Sequence, residues 1–182
     1  VFLSCESKVL GAFLFGTGLF VILTFGFYLY TGKVGYIVVN KISYAGQVCL
    51  IWVGNFIGTF LMAYLILNTR ISGIAEKAAA MCVSKVNDGP LSIFILAFFC
   101  GILMYLAVCL FKEHHTPLGI FFCIPVFSLS GYEHSIANMF YFGASGIVSL
   151  EAFKFICVAI LGNSIGGMLF PVLKLPRKLG NK

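Results

Sequence analysis

Charged residues are scarce in this chain. Only 10% of its 182 residues are Asp, Glu, Lys or Arg, whereas soluble domains carry about 25%. By contrast, 60% of the residues are hydrophobic and the mean hydropathy is +1.04. A water-soluble fold of this size has too little interior for so many apolar side chains, so the excess must face lipid. The composition therefore excludes a soluble domain and predicts one membrane domain over residues 1–182.

Sequence patterns of catalysis and metal binding are also lacking. The seven cysteines show no CxxC or Cys/His ligand spacing, and we interpret them as small apolar packing residues. No glycine-rich loop of the Walker type is present that would power a pump. Gly143-Ala144-Ser145-Gly146 resembles the nucleophile motif of rhomboid proteases, but all three histidines precede Ser145, which is the wrong order, and we predict a loop there. The sequence thus predicts no enzyme, no cofactor and no metal site.

Five apolar runs divide the chain. They cover residues 9–30, 48–67, 91–111, 118–147 and 153–173. A membrane span needs about 20 apolar residues, so each run is long enough to cross. The fourth run is interrupted from Ser130 to Ser135, the first breaks near the glycine-bearing stretch from Thr31 to Gly35, and the polar segment 68–88 is predicted to be the longest loop. The pattern indicates an all-α membrane protein with two broken transmembrane helices.

The two halves of the chain resemble each other. The segment Gly54–Gly58, with the sequence GNFIG, matches Gly162–Gly166, with the sequence GNSIG, and each follows a broken run. This order is typical of an inverted repeat, in which the two broken helices meet near the membrane midplane. The straight run 91–111 precedes the second break but has no counterpart before Val9. We therefore expect a sixth helix upstream of Val1 and six crossings in the full-length protein.

The basic residues lie between or after the apolar runs, so we assign them to the membrane faces rather than to nucleic-acid binding. The segment 174–182 is predicted to be a basic tail. Five spans place Lys and Arg on the tail's face at positions 33, 41, 112, 174, 177, 178 and 182, and on the opposite face at 8, 70, 77, 85 and 154. Since cytoplasmic loops carry an excess of Lys and Arg, this bias predicts a cytoplasmic C-terminus in the plasma or inner cell membrane.

An ionisable pair, Glu133 and His134, stands within the fourth apolar run. Such groups are costly in a membrane unless they line a cavity or find partners. His134 could face a pore and exchange a proton or hydrogen bond with the permeant, or it could only bond frayed backbone at the break. For Glu133 and the adjacent Gly131 we favour a structural role at the helix break, with the carboxylate capping the next half-helix. Thr31 adds a hydroxyl at the first break, either for the permeant or for local capping.

The half-helix N-termini at the two breaks favour an anion, because their N–H groups point into the protein. Bulky side chains near the breaks could close the pathway as hydrophobic constrictions or belong to ordinary core. They are Phe15, Leu19, Leu29, Tyr30 and Phe127. The glycine pairs in the GN-containing segments predict close helix packing, with Asn55 and Asn163 as interhelical hydrogen bonders.

The run Ser130–Phe140, with the sequence SGYEHSIANMF, closely resembles the GFEHSIANM signature of the formate/nitrite transporter family. The resemblance extends through the two GN-containing segments and covers nearly the whole chain, which would supply helices 2 to 6 of the family fold. It implies a homopentamer of aquaporin-like protomers. Each protomer would have its own pore for small monovalent anions such as formate, nitrite, lactate or hydrosulfide.

The resemblance also implies roles for single residues. His134 matches the central pore histidine, Thr31 the loop threonine and Asn163 an asparagine near the centre. One constriction would be formed by Phe15 with Phe127, and the other by Leu19, Leu29 and Tyr30.

Three positions depart from the family pattern. The chain has Tyr28 where the family usually has an acidic residue and Tyr105 where it has an asparagine. The vestibule lysine falls on Gly89 in an ungapped alignment, and we expect Lys85, four residues earlier, to take its place.

Together these features predict a channel or transporter for small monovalent weak-acid anions, linked to protons through the central histidine. A bare anion is costly between apolar rings, and proton transfer at or near His134 would offset its charge. The alternatives are a structural or regulatory subunit that no longer transports and a channel for neutral solutes such as glycerol. The expected partners are the anion, protons, membrane lipid and four further copies of the chain.

Overall fold

The computed structural model describes residues 1–179, and all of the regular structure in them is helical. The helices are α1 (Lys8–Thr24), α2 (Tyr30–Lys33), a 3-10 helix (Val34–Val39), α3 (Ser43–Leu67), α4 (Ile74–Val86), α5 (Pro90–His114), α6 (Leu118–Leu129), α7 (Ser135–Ser145) and α8 (Leu150–Leu179). The predicted all-α fold is confirmed. The basic tail lies partly outside the described residues: helix α8 carries the backbone to Leu179, and Lys174 is the last side chain described.

Three of the described helices are long and apolar enough to cross a membrane. They are Ser43–Leu67, Pro90–His114 and Leu150–Lys174 in α3, α5 and α8, while α1 and α6 are shorter apolar helices. Many large apolar side chains point outward, such as Leu50 in α3 and Phe153 in α8, which are 73% and 65% exposed. Exposed apolar surface of this extent fits a lipid environment.

Two loop predictions were wrong. The polar segment 68–88 contains helix α4, because an alanine-rich stretch with good helix propensity lies between its charged residues. The GASG segment is also helical through Ser145, and only Gly146, with φ of +70°, leaves the helix as its left-handed C-terminal residue.

The two breaks have the same backbone geometry, although the first lies before the predicted Thr31–Gly35 stretch, which is helical in α2 and the 3-10 helix. Gly26 follows α1 with φ of +73°, and Gly131 follows α6 with φ of +71°. After each glycine the chain turns back, so that the Phe27 N–H bonds the Ile22 carbonyl at 2.8 Å and the Tyr132 N–H bonds the Phe127 carbonyl at 3.0 Å. This is a Schellman ending, for which glycine is favoured because only it adopts positive φ without a Cβ penalty. Each broken run therefore consists of a first half-helix, a return loop and a second half-helix.

The packing follows the inverted repeat. The first half-helices α1 and α6 pack on each other, and each second half-helix packs on the last helix of the other repeat: α7 on α3, and the 3-10 helix on α8. Helix α5 fits between α6 and α8. The fold is thus two interlocked repeats whose breaks face each other in the interior.

Glycines determine how closely α5 and α8 approach. A Cβ on Gly162 would lie 2.6 Å from that of Ala97, and one on Gly166 would collide with the Phe98 carbonyl. The matching glycines of the first repeat, Gly54 and Gly58, have no atom within 4 Å of such a Cβ. The close packing predicted for the glycine pairs therefore occurs in the second repeat, while the described chain places nothing on the matching face of α3.

Candidate transport pathway

Three cavities follow one another through the interior. The Lys85 cavity, of about 520 Å³, opens on the face that carries α4 and is walled by Lys85, Glu133 and His134. The central cavity, of about 390 Å³, lies beside the two breaks. The Lys33 cavity, of about 40 Å³, lies on the tail's face and is walled by Lys33 and Lys112. A path between the two membrane faces would pass through these cavities in this order.

Apolar side chains separate the cavities. Phe15 and Phe127 line both the Lys85 cavity and the central cavity. Their ring centroids are 6.0 Å apart, in an edge-to-face arrangement. Leu19, Leu29 and also Ile22 line both the central cavity and the Lys33 cavity. The side chains proposed for two separate constrictions therefore lie at two separate boundaries along the path.

Tyr30 does not belong to the boundary between the central cavity and the Lys33 cavity. It does not line any of the three cavities, and its hydroxyl is 2.7 Å from the Ser164 hydroxyl, so it ties the first break to α8. Ile22, which sequence analysis did not select, lies on the wall instead. Its helical spacing from Leu19 was the available signal, since residues three apart share a face of a helix.

His134 lies at the boundary between the Lys85 cavity and the central cavity. Only 7% of the residue is exposed, and its ring stacks on that of Phe127 with centroids 5.6 Å apart. Its Nδ1 accepts the Ala137 N–H at 3.2 Å, and its Nε2 is 2.9 Å from the Thr31 hydroxyl oxygen. Because Nδ1 accepts a hydrogen bond, the ring proton of the neutral imidazole is on Nε2. Nε2 therefore donates a hydrogen bond to the Thr31 hydroxyl. This bond joins the two breaks.

The capping role predicted for Glu133 was wrong. His134 is the N-cap of α7, since its own Nδ1 accepts the backbone N–H three residues on. The Glu133 carboxylate instead accepts side-chain donors: Lys85 Nζ is 2.5 Å from Oε2, and Asn138 Nδ2 is 2.8 Å from the same oxygen. Lys85 reaches this position because α4 folds over the end of the pathway. The buried carboxylate of Glu133 offsets the charge of Lys85.

A matching pair of asparagines holds the two breaks. Asn163 accepts the Ser135 N–H and donates to the Glu133 carbonyl, both at 2.8 Å. Asn55 accepts the Tyr30 N–H at 2.8 Å and donates to the Tyr28 carbonyl at 3.1 Å. Each amide thus closes its loop by bonding two backbone groups that are two residues apart. The first N–H of each second half-helix is consequently taken, and the helix contributes its dipole rather than a free donor to the pathway.

Asn163 and Thr31 are buried behind the cavity walls. Asn163 is 0% exposed and Thr31 2% exposed, and neither lines any of the three cavities. Asn163 also donates to the Ala97 carbonyl of α5 at 2.8 Å. Thr31 and Asn163 therefore do not contact the pathway themselves and act on it only through the groups to which they are hydrogen-bonded.

Two interlocked repeats with broken helices, apolar constrictions and one buried histidine define a membrane transport protein of the channel or transporter class. The sequence profile described as "Formate/nitrite transporter" matches residues 4–175, and the chain belongs to that family. The family resemblance seen in the sequence is confirmed.

Relatives and solved structures agree with this assignment. The uncharacterized transporter YrhG of Bacillus subtilis (strain 168) is 30% identical over 186 residues, which cover 90% of this chain and 69% of YrhG. The formate-nitrite transporter of Plasmodium ovale is 27% identical, over 72% of this chain and 48% of that protein. A solved pentameric formate channel with formate bound matches the fold with a TM-score of 0.76 at 22% identity, over 91% of this chain and 80% of that one. The chain thus spans between about half and about two thirds of the length of these curated relatives.

Proposed function

We propose that the chain passes small monovalent weak-acid anions of the formate and nitrite class across the membrane, together with a proton. The observation that carries the proposal is the position of His134. It is a buried imidazole at the phenylalanine boundary, beside the central cavity, and it is bonded through Thr31 to the opposite break. The family to which the chain belongs supports the substrate class.

The physical reason for proton linkage is the cost of moving an anion between the phenylalanine and leucine boundaries. The central cavity offers mostly apolar walls, so a bare anion would lose its water there without replacement. For an anion that enters through the Lys85 cavity, we infer that His134 takes up a proton from that side and passes it to the anion, which then crosses the central cavity as the neutral acid; transport in the other direction uses the same steps in reverse. On the far side the acid releases the proton to water. His134 returns to its starting state, and the net movement is one anion and one proton.

Neutral His134 is the resting form in this scheme, since Nδ1 is occupied as an acceptor from Ala137. Uptake of a proton at Nδ1 breaks the hydrogen bond from the Ala137 N–H, and release of that proton to the anion restores it. The bond with Thr31 keeps the ring in place while the other nitrogen changes state.

Flux into proteoliposomes of the full-length protein tests the proposal. Formate, nitrite, lactate, hydrosulfide and glycerol are compared with and without a pH gradient, while internal pH is recorded. We expect anion uptake that speeds up when the outer solution is acidified and that acidifies the lumen. Glycerol flux without anion flux would indicate a neutral-solute channel, and no flux at all a structural subunit.

The variant H134N isolates the role of the imidazole, because asparagine can still donate a hydrogen bond but cannot exchange a proton at neutral pH. We expect the coupled pH change to disappear. The matched control is H115N at an exposed histidine with φ of 53°, a conformation that asparagine tolerates. Unchanged coupling in H134N would contradict the proposed proton exchange.

We further propose that the protomers form a homopentamer with the tail's face in the cytoplasm. The shared fold with a pentameric formate channel and the seven-to-five bias of basic residues support these two points. Native mass spectrometry should give five copies per particle, and a C-terminal tag should resist protease added outside intact cells.

A further inference from the structure

Two lysines from different helices meet at the tail-side end of the pathway. Lys33 is the last residue of α2, and Lys112 lies in the last turn of α5. Both line the Lys33 cavity, beyond the boundary formed by Leu19 and Leu29. The two lysines therefore border the same small space at the point where the pathway reaches the tail's face.

Neither lysine has its charge offset by a carboxylate. Within residues 1–174 the ion pairs are Lys85 with Glu133 and Lys174 with Glu113, and no acidic residue lines the Lys33 cavity. The Lys85 cavity, by contrast, has Glu133 and Asp88 on its wall. The two lysines that line the tail-side cavity thus sum to a formal charge of +2, whereas Lys8, Lys85, Asp88 and Glu133 on the wall of the Lys85 cavity sum to zero.

Aromatic rings hold these lysines in place instead of acids. Lys33 Nζ is 5.0 Å from the ring centroid of Tyr28, and Lys112 Nζ is 5.5 Å from that of Tyr36. A ring face attracts an ammonium group without cancelling its formal charge or occupying its N–H donors. Both ammonium groups consequently remain able to donate to an anion in the cavity.

We propose that Lys33 and Lys112 form an anion-binding subsite at the tail-side mouth. Its ligand is a small monovalent anion with two oxygen acceptors, a short carboxylate or nitrite, which receives one charge-assisted hydrogen bond from each ammonium group. The subsite holds the anion next to the boundary at Leu29 before it enters from the tail's face. The proposal rests on the proposed anion transport and adds a loading site that acts from one face only.

The test compares K33Q/K112Q with the unmodified full-length protein in vesicles of defined orientation. Initial formate and nitrite uptake is measured against concentration from each face. We expect the half-saturating concentration for loading from the tail's face to rise about tenfold, which is about 1.4 kcal/mol. For loading from the opposite face, the half-saturating concentration and the maximal rate should change less than about twofold. Rising ionic strength should weaken tail-face loading of the unmodified protein far more than that of the variant.

Matched variants separate the subsite from a general effect of charge. K174Q removes a lysine on the same face that pairs with Glu113 at 3.6 Å and does not line the Lys33 cavity, so it should leave tail-face loading unchanged. K33R/K112R keeps both charges and should retain most of the loading. An unchanged half-saturating concentration in K33Q/K112Q, or equal changes from both faces, would overturn the proposal.

Direct binding keeps this test independent of transport. Line broadening of 13C-formate by the detergent-solubilised protein should be observed and should be strongly reduced in K33Q/K112Q but not in K174Q. If this pattern appears without flux, the subsite stands and the proposed function fails. If the unmodified protein does not broaden the formate signal, or if K33Q/K112Q broadens it equally, the subsite is wrong.

Discussion

At the scale of single residues, the two asparagines that hold the breaks should differ in how much they contribute to the free energy of unfolding. Asn163 makes three bonds to backbone groups and is 0% exposed, whereas Asn55 makes two and is partly exposed. A hydrogen bond lost inside a membrane protein costs about 0.6–1 kcal/mol. We expect N163A to lose about 2–3 kcal/mol of unfolding free energy and N55A about half of that. Reversible unfolding in mixed micelles measures both, with N68A, at an exposed position, as the neutral control.

The ion pair of Lys85 with Glu133 makes a second prediction at this scale. Its side chains are 13% and 8% exposed, so removing one partner leaves the other charge buried and uncompensated. The double-mutant cycle K85M, E133Q and K85M/E133Q should give a coupling of about 1–3 kcal/mol. The Lys174–Glu113 pair, whose side chains are 48% and 47% exposed, is the control, and its coupling should be below about 1 kcal/mol. Equal couplings would show that the Lys85 cavity is more hydrated than its geometry indicates.

At the scale of helices, matched glycines in the two repeats should respond differently to substitution. In the chain of residues 1–182, G166A places a methyl group against the Phe98 carbonyl, whereas G58A places one where no atom lies within 4 Å. Overpacking of this kind costs about 1–3 kcal/mol. We expect a clear loss of unfolding free energy for G166A and less than about 0.5 kcal/mol for G58A. Denaturation in micelles measures both, and equal effects would contradict the difference in packing.

The helices were predictable from the sequence to the extent that apolar runs and glycines determine them. The run lengths predicted the spans, and the interruption from Ser130 to Ser135 predicted the second break, whereas the first break lies at Gly26 and not in the Thr31–Gly35 stretch. Helix α4 (Ile74–Val86) within the segment 68–88 was missed because the charged residues of that segment indicated a loop. The pairing of Lys85 with Glu133 and the meeting of Lys33 with Lys112 bring together residues more than 40 positions apart. Such contacts depend on how the helices pack, and no local pattern indicates them.

At the scale of the whole molecule, residues 1–179 leave one helix of the second repeat, α5, without a counterpart in the first repeat. Helix α5 packs on α6 and α8, where Gly162 and Gly166 allow its close approach. The equivalent space lies between α1 and α3, above Gly54 and Gly58, and the central cavity opens toward it. The symmetry therefore predicts that an apolar helix covers this space.

Labelling of the full-length protein in membranes tests this prediction. A cysteine introduced at Gly58, in a background without the exposed Cys49 and Cys157, is treated with a lipid-soluble maleimide. If a helix covers Gly58, this cysteine should react at least about tenfold more slowly than one placed at Leu161, an exposed position in α8. Protection that persists after the oligomer is dissociated in detergent would show that the covering helix belongs to the same polypeptide as Gly58. Protection that disappears on dissociation would show that a neighbouring protomer covers this face, and equal labelling of both cysteines would show that nothing covers it.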